Sequence, residues 1–409
     1  MAPARSRMRL VASLAALAAA TGIVGCALIG DIGDLPFPSD GAVSDETSDG
    51  PLADGADASN GDGPAGPEGS MDAPVDVTTQ DGNCPGSLTA CGTACENLMQ
   101  DPGNCGRCGH GCQGGMCASG TCQPFALLPD GGIFGTPAGV LVHGNAVYWV
   151  NNGPDGTILT VSVDGGPFAA VVPVLDAGQG VDLAMNDTTV YFTIGNSVLS
   201  SPLDGGAITT LASGLGGPDA VVLHATSVYF TDYSNPGSVL QVPLAGGTVT
   251  TLAPNQSNPG GLALNDTTAY WTASGAGTIM SATLDGGAPT NVAPAVAPFG
   301  VALDSTSVYW TTASGVFSIP LNGGSVTTLS SSENNASGIA VDATGVYLVN
   351  YGSMMGSTDG TVKMIPLDGG PEVTLATSQE NPQAIAIDST SVYWTNNYFF
   401  GQVMKVAKP

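Results

Sequence analysis

The 409-residue sequence predicts an all-β chain: a seven-bladed β-propeller of four-stranded antiparallel blades, preceded by a small disulfide-rich module and a disordered tether. Three observations predict it. A tyrosine followed by a bulky apolar residue recurs at Tyr148-Trp149, Tyr191-Phe192, Tyr229-Phe230, Tyr270-Trp271, Tyr309-Trp310, Tyr347-Leu348 and Tyr393-Trp394, at intervals of 43, 38, 41, 39, 38 and 46 residues. Each interval holds four short strand-like runs, and a spacing of about forty residues with four strands is that of a propeller blade. The last repeat stops at Pro409 without a fourth strand, while Phe125-Ala-Leu-Leu-Pro129, ahead of the first repeat, reads as the missing one.

Taken in order, the chain begins with Arg5, Arg7 and Arg9, then an apolar run from about Leu10 to Val24. That pattern is an export signal, too short and too soon followed by acidic sequence for a stable spanning helix. Ile23-Val24-Gly25-Cys26 resembles the lipobox of bacterial lipoproteins, which implies acylation of Cys26 and, with Ala27 after it, an outer-membrane or cell-surface location. Ordinary cleavage and release is the competing reading. Residues 27–83 carry 13 Asp and Glu and no Lys or Arg. Such a segment cannot recover its ordering entropy, and self-repulsion extends it, so it reads as a spacer between membrane and folded head.

Residues 84–122 hold Cys84, Cys91, Cys95, Cys105, Cys108, Cys112, Cys117 and Cys122. Eight cysteines in an exported chain imply disulfides, although spacing cannot choose among their 105 pairings, and Cys105-Gly-Arg-Cys108 with Cys112 leaves a zinc reading open. The run Cys91-Gly-Thr-Ala-Cys95, Asp101-Pro-Gly-Asn-Cys105-Gly-Arg-Cys108-Gly109 and the cysteines after it resemble the stigma-specific cysteine-rich family. That resemblance implies a small extracellular module without a catalytic role. His110, between two glycines, is expected in an exposed loop.

Residues 123–409 form the propeller. In the repeat at 298–335, Val301-Ala-Leu303, Val308-Tyr-Trp-Thr311, Val316-Phe-Ser-Ile-Pro-Leu321 and Val326-Thr-Thr-Leu329 are strands, and Asn322-Gly323 is a hairpin turn. Adjacent strand residues point to opposite faces, so burying both Tyr309 and Trp310 requires a sheet covered on both sides. Blades packed face to face in a ring satisfy this, and closure leaves no long exposed edge; an open solenoid is the alternative. The Tyr-Trp-Thr motif resembles the YWTD repeats of low-density-lipoprotein-receptor propellers, with the final aspartate kept at Tyr229-Phe-Thr-Asp232.

The formal charge of −27, with seven Lys and Arg in all, excludes nucleic acid as a partner. Five residues before each tyrosine stand His143, Asn186, His224, Asn265, Asp304, Asp342 and Asp388, a turn position, so the two histidines read as turn residues. No catalytic triad, metal-ligand cluster or cofactor motif presents itself. Two rim loops break the repeat and concentrate aromatic and Met side chains: Tyr351, Met354 and Met355 after the sixth tyrosine, and Tyr398, Phe399 and Phe400 after the seventh. They are the candidate binding residues. The expectation is a monomeric, lipid-anchored envelope protein without catalytic activity, binding a protein or glycan on one rim. A metal-dependent propeller lyase and a purely structural envelope protein are the alternatives.

Overall fold

The computed structural model describes residues 84–128, 135–152, 157–172, 180–398 and 401–409. The lipid-attachment residue Cys26 and the acidic segment 27–83 lie outside the described residues.

Seven four-stranded antiparallel sheets follow one another along the chain. In the first six, strands pair in sequence order from the first to the fourth, and the first strands of all seven neighbour one another around the ring. Blade 5 is representative: Val301–Leu303 is innermost, followed by Ser307–Thr312, Gly315–Pro320 and Thr327–Ser330. Its third and fourth strands are joined through Asn322-Gly323-Gly324, where both glycines hold positive φ (+85° and +141°), as the hairpin requires. The ring closes as expected. Blade 7 consists of Pro382–Ile387, Ser391–Asn396, Gln402–Ala407 and the N-terminal segment Phe125–Ala126, which pairs Ala126 with Met404 and Phe125 with Lys405.

The repeated aromatic column forms the core between blades. Seven apolar clusters occupy the seven interfaces, and each joins the tyrosine of one blade to the bulky residue of the next. Tyr191 meets Phe230, Tyr270 meets Trp310, and Tyr309 meets Leu348. Closure repeats the rule, with Tyr393 of blade 7 packed against Trp149 of blade 1. Burying one such side chain contributes on the order of 2–3 kcal/mol.

In five of the seven blades the residue two after the tyrosine is a threonine with a separate task; blades 1 and 6 carry Val150 and Val349 there instead. Just opposite it, the innermost strand carries an extra residue: in blade 3, Pro218 pairs with Asp232 and Val221 with Phe230, leaving Asp219 and Ala220 in a bulge. A bulge leaves backbone groups without ladder partners. The Thr231 hydroxyl satisfies two of them, accepting from Ala220 N–H at 3.1 Å and donating to Gly260 C=O of blade 4 at 2.9 Å. Thr193, Thr272, Thr311 and Thr395 donate likewise to the next blade, at Asp219, Phe299, Ser337 and Ala138, the last across the closure. The Tyr-Trp-Thr repeat therefore reads as core, core and clip.

The cysteine-rich segment contains two short hairpins, Thr89–Cys91 with Ala94–Glu96 and Cys117–Ala118 with Thr121–Cys122. Its bridges are Cys84–Cys95, Cys91–Cys108, Cys105–Cys117 and Cys112–Cys122. The sulfurs of Cys105, Cys112 and Cys122 lie within 4.8 Å of one another, but every one is already in a disulfide, which leaves no thiolate for zinc.

Candidate functional site

The start of each innermost strand and the loop after each second strand share one rim, because the register pairs Pro218 with Asp232, Ala336 with Asn350 and Pro382 with Asn396. The bulge residues lie near this rim, on the strands that surround the ring's axis. Nine residues before each tyrosine, the blades carry Gly139, Asp182, Ala220, Gly261, Gly300, Gly338 and Ala384. Small residues belong there: a Cβ on Gly261, Gly300 or Gly338 would fall 2.8, 2.6 and 2.7 Å from a carbonyl oxygen of the next blade. Asp182 breaks this column. Asp219, one position earlier in the following blade, stands where the others have Ala, Val, Gly, Phe, Ser and Gln.

The two carboxylates come from adjacent blades, and the charge of Asp182 acts on Asp219. Asp182 Oδ2 accepts the Val221 N–H at 3.0 Å. Burial raises the Asp182 carboxyl from 3.8 to about 6, against the lowering effect of the Val221 and Leu183 N–H groups. Asp219 rises further, to about 7, first through burial and then through the charge of Asp182. Its carboxylate has no hydrogen-bond partner among the described residues and packs close to Gly260, where a Cβ would lie 3.4 Å from Asp219 Oδ2. Near neutral pH the pair holds about one proton between two acids, an arrangement able to receive a cation or to exchange a proton.

The turn column behaves differently. Asp304 Oδ1 accepts the N–H groups of Thr306 and Ser307 at 2.7 and 2.8 Å, and Oδ2 accepts the Tyr309 hydroxyl at 2.9 Å. Burial pushes its carboxyl up, but these hydrogen bonds outweigh it and leave the group below its ordinary value. His143 lies 3.0 Å from Asp187, and His224 packs edge-on to Tyr229, 6.5 Å between centroids. Each histidine is the last residue of an innermost strand, paired with Ala146 or Ser227 across the hairpin, so the two flank the turns and do not stand within them.

The rim loops of blades 6 and 7 meet each other. Met354 and Met355 are 67% and 74% exposed and Tyr398 is 37% exposed. A Cβ on Gly356 would lie 3.2 Å from the Tyr398 ring, so the loops are in contact. Asn381 ties them down, its Nδ2 donating to the carbonyls of Met354 at 2.9 Å and Tyr351 at 3.2 Å. Asp359 closes the loop on itself: the Ser357 hydroxyl and the Ser353 N–H hold its carboxyl at about 2. Tyr351 needs correcting as a contact residue. It is 7% exposed, with its ring in the interior, and supports the loop instead. Phe399 and Phe400 lie outside the described residues. Beneath the blade 6 loop is a buried carboxylate that sequence reasoning missed: Glu333 Oε2 accepts Asn350 Nδ2 at 2.6 Å and Lys363 Nζ at 3.1 Å.

Asp182 and Asp219 were missed as well. The signal was available, since aligning the repeats on their tyrosines exposes Asp182 as the one acid in a Gly/Ala column. His110 also differs from expectation. It is half-buried, with Nδ1 2.6 Å from the Cys105 carbonyl and Nε2 2.8 Å from the Lys408 carbonyl.

No family model matches the chain, and no curated protein does. Solved structures resemble it in fold. A streptogramin B lyase is 16% identical with a TM-score of 0.59, over 70% of this chain and 97% of the lyase. A computationally designed protein, Ika8, is 16% identical with a TM-score of 0.50, over 66% of this chain and 84% of the design. A puromycin hydrolase is 17% identical with a TM-score of 0.50, over 64% of this chain but only 50% of the hydrolase. At these identities the likeness carries the architecture alone. It nevertheless overturns the expectation of a chain without catalytic activity. That expectation rested on the lack of a histidine-based or metal-based site on the ring, whereas this architecture is one that a lyase and a hydrolase use.

Proposed function

We propose that the chain is a lipid-anchored protein of the bacterial outer membrane or cell surface, tethered through Cys26, whose propeller takes up an amine-bearing ligand at the rim of its axial channel. The observation that carries the channel reading is the Asp182–Asp219 pair, set at positions where the ring otherwise favours small or uncharged side chains. A carboxylate beside a half-protonated acid, in a protein of formal charge −27, attracts a cation and can take or return a proton as it docks. Met354, Met355 and Tyr398, exposed on loops that are themselves held in place, offer the apolar contact for the body of the same ligand, a protein or glycan of the envelope. The lipid anchor is supported by the arginines, apolar run and Ile23-Val24-Gly25-Cys26 of the N-terminus, and the four disulfides suit an exported head.

A second reading, proton-transfer catalysis on a bound ligand, is favoured by the two carboxyls raised to about 6 and about 7, the range in which a general acid and base work at neutral pH. Calorimetric titration with glucosamine oligomers and with a lysine-containing peptide tests both readings. Binding that strengthens from pH 5 to pH 8 and is lost in Asp219→Asn supports the channel site; binding indifferent to Asp219→Asn sinks it. Loss of affinity in Met354→Ala/Tyr398→Ala, with thermal stability unchanged, assigns the rim patch to the same ligand. Product appearing during the titration selects the catalytic reading.

A further inference from the structure

The seam at which the ring closes is built differently from the other blades. Outer strands elsewhere run from four residues, as in Thr209–Ala212, to seven, as in Val373–Gln379. The outer strand of blade 7 is the two-residue Phe125–Ala126, paired at two positions only. So short a strand frays readily unless something else holds it, because local opening follows the number of contacts and hydrogen bonds that must break.

The cysteine-rich segment lies at that seam. Cys122 is three residues ahead of Phe125. The bridges Cys105–Cys117 and Cys112–Cys122 form one buried cluster with Ala407, the last residue of blade 7's third strand. His110 links Cys105 to Lys408, as described above. Phe125 lies against Gly114 and Gly115, where a Cβ would fall 3.2 and 3.4 Å from its ring. On the far side, the Lys405 ammonium sits 5.9 Å from the Phe125 ring centroid and donates to Val163 C=O of blade 1 at 2.9 Å. Leu127 completes the junction: its N–H donates to Val403 C=O at 2.9 Å, and its C=O accepts from Gly166 N–H of blade 1 at 3.0 Å. Module, blade 7 and blade 1 therefore meet around one short strand.

We propose that the cysteine-rich module is the clasp of the propeller: docked on Ala407 and Lys408, its bridged framework holds Phe125–Ala126 in register and keeps the ring closed. The physical reason is entropic. Without the bridges, residues 84–124 are a loose leader and the two-residue strand must find its place unaided; with them, the strand leaves a body already fixed to the blade it completes. The module needs few apolar residues of its own because its task is to present a rigid framework.

Hydrogen exchange of the full chain tests this, comparing the oxidised protein with protein reduced by a dithiol. Each bridge takes up two electrons and two protons as the dithiol cyclises to its own disulfide. Exchange at Phe125–Ala126, Gln402–Ala407 and Ala146–Asn152 is expected to quicken about tenfold or more on reduction, while Thr268–Ala273 and Ser307–Thr312 on the opposite side keep their protection. Unchanged exchange at the seam after full reduction overturns the proposal. A rise shared equally by all blades is decided by a second protein, in which the eight module cysteines are alanine and the paired residues carry Ala126→Cys and Met404→Cys. Protection restored by that one bridge supports the clasp, and failure to restore it overturns it.

Discussion

The interface between blades 5 and 6 and that between blades 2 and 3 are fastened identically and furnished differently. In the first, Thr311 accepts from Gly300 N–H at 3.0 Å and donates to Ser337 C=O at 2.7 Å. In the second, Thr193 accepts from Asp182 N–H at 3.0 Å and donates to Asp219 C=O at 2.8 Å. The backbone hydrogen bonds are the same. What differs is the pair of residues the threonine fastens, Gly300 and Ser337 against Asp182 and Asp219. Where the threonine is present, the fastening draws only on it and the main chain, so the residues displayed on the innermost strands are free to change without disturbing it. This division lets a repeat protein hold its fold constant and vary its chemistry.

The comparison breaks most severely at the glycine. A Cβ on Gly300 would lie 2.6 Å from Ser337 C=O and 2.9 Å from Ile339 Cγ2, so Gly300→Val forces the two blades apart. A loss of about 3 kcal/mol is expected from denaturant unfolding. Asp182→Gly, the reverse exchange at the equivalent position of blade 2, should cost far less. Equal losses would show that the two interfaces are not built alike. Next in size is the clip. Thr231 is fully buried, and Thr231→Val keeps its shape while stranding Ala220 N–H and Gly260 C=O. About 2 kcal/mol is expected, with Thr231→Ser retaining most of the stability. A serine variant as unstable as the valine variant would assign the threonine's role to packing.

Most of the fold was legible because it is written seven times. Repetition of Tyr309-Trp310 and its counterparts exposes the inter-blade core, and the missing fourth strand after Val406 identifies Phe125-Ala126 as its replacement. The role of the threonine was not legible, because its partners belong to a bulge and to the next blade, neither of which strand periodicity reports. The candidate site divides in the same way. Met354, Met355 and Tyr398 stand out as polar-loop positions filled by large apolar side chains. Tyr351 has the same composition signal, yet it turns inward. Asp182 and Asp219 look like ordinary acids in a chain with 34 of them. Only the topology, by placing two innermost strands side by side, makes them a pair.

The smallest expected effect is also the most specific to that pair. In the unfolded chain Asp219 titrates near 3.8, and in the folded channel burial and the Asp182 charge raise it to about 7. Between those values the folded protein binds the extra proton, so this group favours folding below about pH 4, and its contribution is lost as pH rises through 7. Water reaches the channel wall, which reduces the loss to about 1–2 kcal/mol. Asp219→Asn removes the titration. Its melting temperature should match wild type below about pH 4 and exceed it by about 2–5 °C at pH 8, the difference opening between about pH 4 and 7. Asp304→Asn should do the opposite. Its carboxyl is held below its ordinary value by the turn's hydrogen bonds, and the stability it contributes is present at neutral pH and lost in acid. Asp304→Asn should therefore lower the melting temperature at pH 8, with the difference shrinking in acid as pH falls below the ordinary value of 3.8. Two aspartates of one ring with opposite pH signatures would separate the turn column from the channel pair by measurement, and parallel melting curves for Asp219→Asn and wild type would remove the channel pair from consideration as an acid–base site.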